Sequence, residues 1–169
     1  IASCLVGSEM CIRDRNKDRT KYEATFKNAI YWTNKKHWKW ATEPNDREKA
    51  SFLKENILPM QELGQLKFVE EDGFDAFDLF YADGHTDAMM IPIINYQGKK
   101  LAFMADLLPS AGHIPLPYVM GYDTRPLLTL EDRKRFYKKA IDENLYLFME
   151  HDYQNELITL KDTEKGARL

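Results

Sequence analysis

A chain of 169 residues with a net charge of −3 is long enough to bury a substantial core and too nearly neutral to argue for nucleic acid or a membrane surface as partner. Its 44% hydrophobic and 12% aromatic content excludes general disorder, and no apolar run approaches the length of a membrane-spanning helix. Its two cysteines, Cys4 and Cys11, both stand in the first segment, so the rest of the chain has no disulfide framework and no thiolate metal site. The expectation is a soluble globular protein of the cytoplasm.

The first twelve residues lack the basic start and long apolar stretch of a signal peptide. The run from Cys4 to Arg15 resembles a peptide produced by translation of sequencing-adapter DNA. Residues 1–15 are therefore expected to be a non-native leader, with the parent protein longer on its N-terminal side. Residues 16–27 read as a polar loop or short helix, and 29–32 as a short strand. Thr33 or Asn34 can cap a helix through His37, Trp38 and Trp40, ending before Pro44. Asn45 with Glu48 three positions on reads as a capping box for a second helix through Phe52, Leu53 and Ile57, ended by Pro59.

Strands follow at 66–69 and 77–81, then at 89–96 and 101–105 around a turn at 97–100. Residues 107–126 hold four prolines and two glycines, a long irregular loop of the kind that usually serves function. Thr129 with Asp132 opens an amphipathic helix over 130–144, whose run Arg133-Lys134-Arg135 with Lys138 and Lys139 reads as a solvated face. Strands at 145–149 and 157–160 and a frayed tail at 161–169 complete the chain. The pattern is a layered α/β (α+β) arrangement with mixed sheets, undivided by any linker.

Three segments share one placement. Asp83-Gly84-His85-Thr86-Asp87, Phe103-Met104-Ala105-Asp106 and Phe148-Met149-Glu150-His151-Asp152 each follow an apolar, strand-like run. Imidazole and carboxylate together suit a borderline-soft divalent cation such as zinc, and strand ends can hold ligands at fixed geometry. Asp83, Asp87 and Asp152 are close enough in sequence to hold the second nitrogen of a ligating histidine. In the proline-rich loop, His113 reads first as a pin for the loop and second as a substrate contact. Tyr118 and Tyr122 read as packing residues or as donors to an oxyanion. His37 and the Trp32, Trp38 and Trp40 cluster read as packing.

In order and spacing these segments resemble the C-terminal half of the metallo-β-lactamase superfamily, over residues 29–160 and most strongly over 77–152. The resemblance implies a partial αββα sandwich, spanning 16–160, with one or two metal ions at the sheet edges. It implies that His85 completes a first metal site, Asp106 bridges both metals and His151 belongs to the second. It further implies a zinc-dependent hydrolase in which metal-bound hydroxide attacks an ester, lactone, thioester or related bond of a small molecule. The superfamily's His-x-His-x-Asp-His motif is absent from this sequence, so three ligands for two metals imply weak zinc binding and no activity for this chain alone. Asp87-Ala88 also stands where many members have Pro-Gly after Gly-His-Thr. Two other readings remain: an iron-dependent redox member of the same superfamily, and a metal-free binding module.

Overall fold

The computed structural model describes residues 13–15, 22–24 and 26–169. Residues 1–12 of the expected leader, and most of the loop expected at 16–27, lie outside the described residues. β1 (Arg13–Arg15) pairs antiparallel with β2 (Tyr22–Ala24). The chain divides into two compact units, Ile1–Phe74 and Asp75–Leu169.

In the first unit, β3 (Tyr31–Thr33) pairs in parallel with β4 (Leu66–Phe68). α1 (Lys35–Thr42) begins where expected, with the Asn34 side chain accepting from the His37 amide at 2.7 Å. The Asn45 box forms its local bonds, Glu48 N to Asn45 Oδ1 at 3.1 Å and Asn45 Nδ2 to Glu48 Oε2 at 2.7 Å, yet starts no α-helix. The Trp40 indole also donates to Glu48 Oε2, at 2.7 Å, and the segment closes as a turn. The second helix, α2, instead runs Lys54–Glu62 with Pro59 inside it. Proline there removes one helical donor, and the helix continues to Glu62 all the same. Tyr31, Ala41, Phe52, Ile57 and Met60 form the buried cluster. His37 is buried edge-on to Phe52, and Trp32 and Trp38 meet Phe74 and Phe68 edge-on, so these residues pack as expected.

The second unit is a five-stranded mixed sheet of β5 (Asp78–Ala82), β6 (Met89–Tyr96), β7 (Lys99–Phe103), β8 (Tyr146–Phe148) and β9 (Leu157–Ile158), in that order. β6 and β7 join through Gln97 and Gly98, both at positive φ, the geometry of a tight two-residue hairpin. α3 (Pro126–Asp142) carries the chain back so that β8 lies parallel to β7. The strands alternate. Ile93 faces Ala102, Ala102 faces Leu147 and Leu147 faces Ile158, a row buried with Phe136 and Ala140 of α3.

α3 starts four residues before the expected helix, with Pro126 at its first position, where a missing amide hydrogen costs nothing. Thr129 and Asp132 therefore sit inside the helix and not at its mouth. The tail is not frayed either: Lys161 and Arg168 exchange backbone hydrogen bonds of 2.9 and 3.0 Å, and Ala167 packs on the core.

Two reversals along β5, β6 and β7, and one parallel step to β8, leave β5, β7 and β8 pointing the same way. Their C-terminal ends therefore meet at one edge of the sheet. The three histidine- and aspartate-bearing loops leave from that edge.

Candidate metal centre

The His85 loop is held from below by α3. The backbone amides of Asp83 and Gly84 both donate to Asp132 Oδ2, at 2.7 and 2.8 Å. Asp83 Oδ1 accepts from the Ala88 amide at 2.9 Å, and Arg125 Nη2 reaches Asp87 Oδ1 at 2.6 Å. Asp106 is aimed by the backbone. Met104 is fully buried at the end of β7, and Ala105 adopts φ +42°, a left-handed conformation rare outside glycine, which turns the chain into the short 3-10 turn Ala105–Leu107. His151 follows β8, where the Met149 amide donates to the Glu156 carbonyl at 2.9 Å.

These loops bring the three side chains together in a specific way. His85 Nε2 lies 3.4 Å from Asp106 Oδ2, and His151 Nε2 lies 3.6 Å from Asp106 Oδ1. One carboxylate thus shows one oxygen to each imidazole. As they stand, no three His, Cys, Asp or Glu side chains among the described residues form a group able to hold a cation. The arrangement is a chain of two pairs and not a closed triangle. Its donors nevertheless suit divalent cations in kind and direction: two ring nitrogens and a carboxylate that can serve two centres. The side chains of Asp106 and His151 are about one-third exposed, His85 less so, and all three can be reached from solvent.

Residues that the sequence pattern does not mark lie around this set. His85 Nδ1 is 2.9 Å from Asp123 Oδ1, whose side chain is wholly buried. A carboxylate only accepts, so the ring nitrogen donates. Arg133, expected on a solvated face, is completely buried instead. Its guanidinium donates to the carbonyls of Leu107 at 2.8 Å, His113 at 3.2 Å and Tyr118 at 2.7 Å, tying down the loop that leaves Asp106. Charge-assisted bonds to three carbonyls offset the cost of burying the cation.

His113 Nδ1 sits 2.8 Å from Ser110 Oγ. Burial, and then the nearby Arg133 charge, hold its pKa below the usual imidazole value, so it is neutral at pH 7. Tyr118 and Tyr122 are largely exposed, and the Tyr122 ring stands edge-on to His85 at 5.6 Å.

Asp152 organises the turn after His151. Its oxygens accept from the backbone of Ala111 at 2.8 Å, Gln154 at 2.9 Å and Asn155 at 3.0 Å. The Ala111 amide first, and the Gln154 amide next, pull its pKa from the ordinary 3.8 to about 2. The unfolded chain therefore binds this proton more readily than the folded one, and stability is gained as pH rises through that window. The stability difference between wild type and Asp152→Asn, read as urea midpoints, is expected to be full at pH 6. It should shrink below pH 4 and vanish near pH 2; a difference independent of pH would contradict this assignment.

No protein-family profile matches the chain, and no curated protein matches it. Solved structures do. One is described as a "probable metal-dependent hydrolase" from Staphylococcus aureus, with a TM-score of 0.69 and 23% identity over 80% of this chain and 49% of that one. The hydrolase AbOPH, described as in the β-lactamase superfamily, gives a TM-score of 0.69 and 17% identity over 86% of this chain and 55% of its own. AidC, a dizinc quorum-quenching lactonase solved with its product, gives 0.64 and 25% over 86% and 55%. The chain thus spans about half the length of the solved structures it matches.

Proposed function

The chain carries the fold of the metallo-β-lactamase superfamily, and on that premise we propose that it forms part of a zinc-dependent hydrolase of a small ester, lactone or thioester, active in the cytoplasm. The supporting observation is the shared carboxylate of Asp106, with one oxygen toward His85 Nε2 and the other toward His151 Nε2. His85 with Asp106 would contribute to one cation, and His151 with Asp106 to a second. Two such cations, when bound, supply an activated water and polarise the carbonyl under attack.

The rest falls to this chain's own residues. Asp106 presents one carboxylate oxygen to each imidazole. Arg133 ties down the 107–118 loop that leaves Asp106 through three backbone carbonyls. An open depression of about 330 Å³ adjoins His151, lined by Ser110, Gly112, Asp152 and Tyr153 among others but not by His85 or Asp106. The exposed Tyr122 ring beside His85 favours an apolar substituent over a highly charged one.

Two protein donors per cation leave each centre open. The further ligands, of the His-x-His-x-Asp-His kind, are not in this sequence, so weak zinc binding and no turnover are expected of the 169-residue chain alone. The test is metal analysis and turnover on this chain and on a protein that joins it to a segment supplying a His-x-His-x-Asp-His motif. Two zinc ions per chain with lactone or thioester hydrolysis would support the proposal. Stoichiometric iron would move the reading to redox chemistry, and phosphodiester cleavage without lactone or thioester turnover would overturn the substrate class.

A further inference from the structure

We infer that Asp123 is a positioning residue that fixes the direction and protonated nitrogen of His85, and so governs how tightly the His85–Asp106 side of the centre takes a divalent cation. The inference rests on the metal-centre reading above. Its first support is geometry: Asp123 Oδ1 lies 2.9 Å from His85 Nδ1, so that Nδ1–H donates to it and Nε2 is the ring nitrogen turned toward Asp106.

The second support is that a whole segment grips this one histidine. Tyr122 covers the ring edge-on. The Thr124 amide and hydroxyl donate to the His85 carbonyl at 3.1 and 2.9 Å. The Arg125 amide donates to the Gly84 carbonyl at 2.9 Å. Three consecutive residues thus hold the ring, the ring nitrogen and the backbone carbonyl of His85, with Arg125 next to them on Gly84, while the His85 side chain remains partly open to solvent.

The third support is cost. Asp123 is buried, and its Oδ2 has no hydrogen-bond partner among the described residues. Burying a carboxylate in this state is expensive, and packing alone would favour an uncharged residue of similar shape. Its Oδ1 is engaged by the His85 ring nitrogen. The return is the charge-assisted bond to an imidazole, which makes the ring a more basic ligand.

The experiment uses the full chain in two arms. Without metal, imidazole proton–nitrogen NMR is expected to show an exchange-protected Nδ1–H on His85, identified by its loss in His85→Gln. That protected proton should be absent in Asp123→Ala. With cobalt(II) as probe, Asp123→Ala is expected to bind about 10–100-fold more weakly than wild type. Asp123→Asn, which keeps a neutral acceptor, should fall between the two, with a metal-free unfolding midpoint like that of wild type. If Asp123→Ala fails to fold, the Asn variant decides: affinity equal to wild type overturns the inference. So does an Ala variant that retains both the protected proton and wild-type affinity. A wild-type chain that takes up no cobalt overturns the metal-centre reading and the affinity claim with it, while the NMR arm still shows whether Asp123 holds the ring.

Discussion

Replacing Asp106 with asparagine is expected to remove cation binding by this chain while leaving its metal-free fold intact. The two imidazoles address different oxygens of this one carboxylate, so a single substitution strikes both sides of the centre. An amide has one acceptor oxygen and one NH2 group. Whichever way it turns, one histidine loses its anionic companion and meets a donor, and the other keeps only a neutral oxygen. Cobalt(II) affinity should fall roughly 100-fold or more, beyond the 10–100-fold expected of a residue that acts through a ligand. The metal-free protein should change by about 0.5 kcal/mol or less, because the Asp106 side chain is one-third exposed and away from the core. Cobalt titration read beside urea unfolding separates the two effects. Unchanged affinity would show that Asp106 is not shared between centres. His151→Ala gives the complementary result, weakening one side while the His85–Asp106 pair persists.

The three proposed ligands were legible because each lies next to a strand end, where alternation and an abrupt polar residue mark position along the chain. The topology then explains why they meet: β5, β7 and β8 finish on the same edge. Asp123 was not legible. It lies in the irregular stretch at 107–126, where no periodicity ties a residue to a place in space, and the sequence-near candidates Asp83, Asp87 and Asp152 were the natural alternatives. Their bonds to Ala88, Arg125 and Ala111 show them organising loops.

Arg133 was legible in principle. It stands four residues after Thr129, three before Phe136 and seven before Ala140, all on the buried face of α3, whereas Lys134 and Arg135 lie off that face. Reading the basic run as a block hid this helical spacing. The two misplaced helix starts share a cause. Asn45–Glu48 and Thr129–Asp132 carry capping chemistry, but Glu48 is shared between Asn45 and the Trp40 indole, and Asp132 accepts from the Asp83 and Gly84 amides. At Asp132, partners some fifty residues away in the chain took a side chain that local pattern assigned to a helix mouth.

Gly84→Ala is expected to be the most damaging single change in the His85 loop, and the reason is space, not backbone conformation. A Cβ added at Gly84 would lie 2.2 Å from the Thr129 amide nitrogen and 2.4 Å from both Thr129 Cα and Oγ1. Two of those atoms are backbone of α3, so no side-chain rotation relieves the clash. Either the helix or the loop must move. Both are fixed by the same contacts: the Asp132 carboxylate bridges to the Asp83 and Gly84 amides, and the Arg125 amide donates to the Gly84 carbonyl. Moving the helix strains the buried Phe136 and Arg133 that follow on it, and moving the loop carries His85 away from Asp123 and Asp106.

The expected cost is about 3 kcal/mol or more in urea unfolding. Any folded protein that remains should bind cobalt more weakly than wild type. Gly121→Ala is the control. A Cβ there meets nothing within 4 Å, and the change should stay within about 0.5 kcal/mol. Equal stability of the two variants would mean that α3 does not bear on Gly84 as described, and the route by which α3 sets the position of His85 would have to be abandoned.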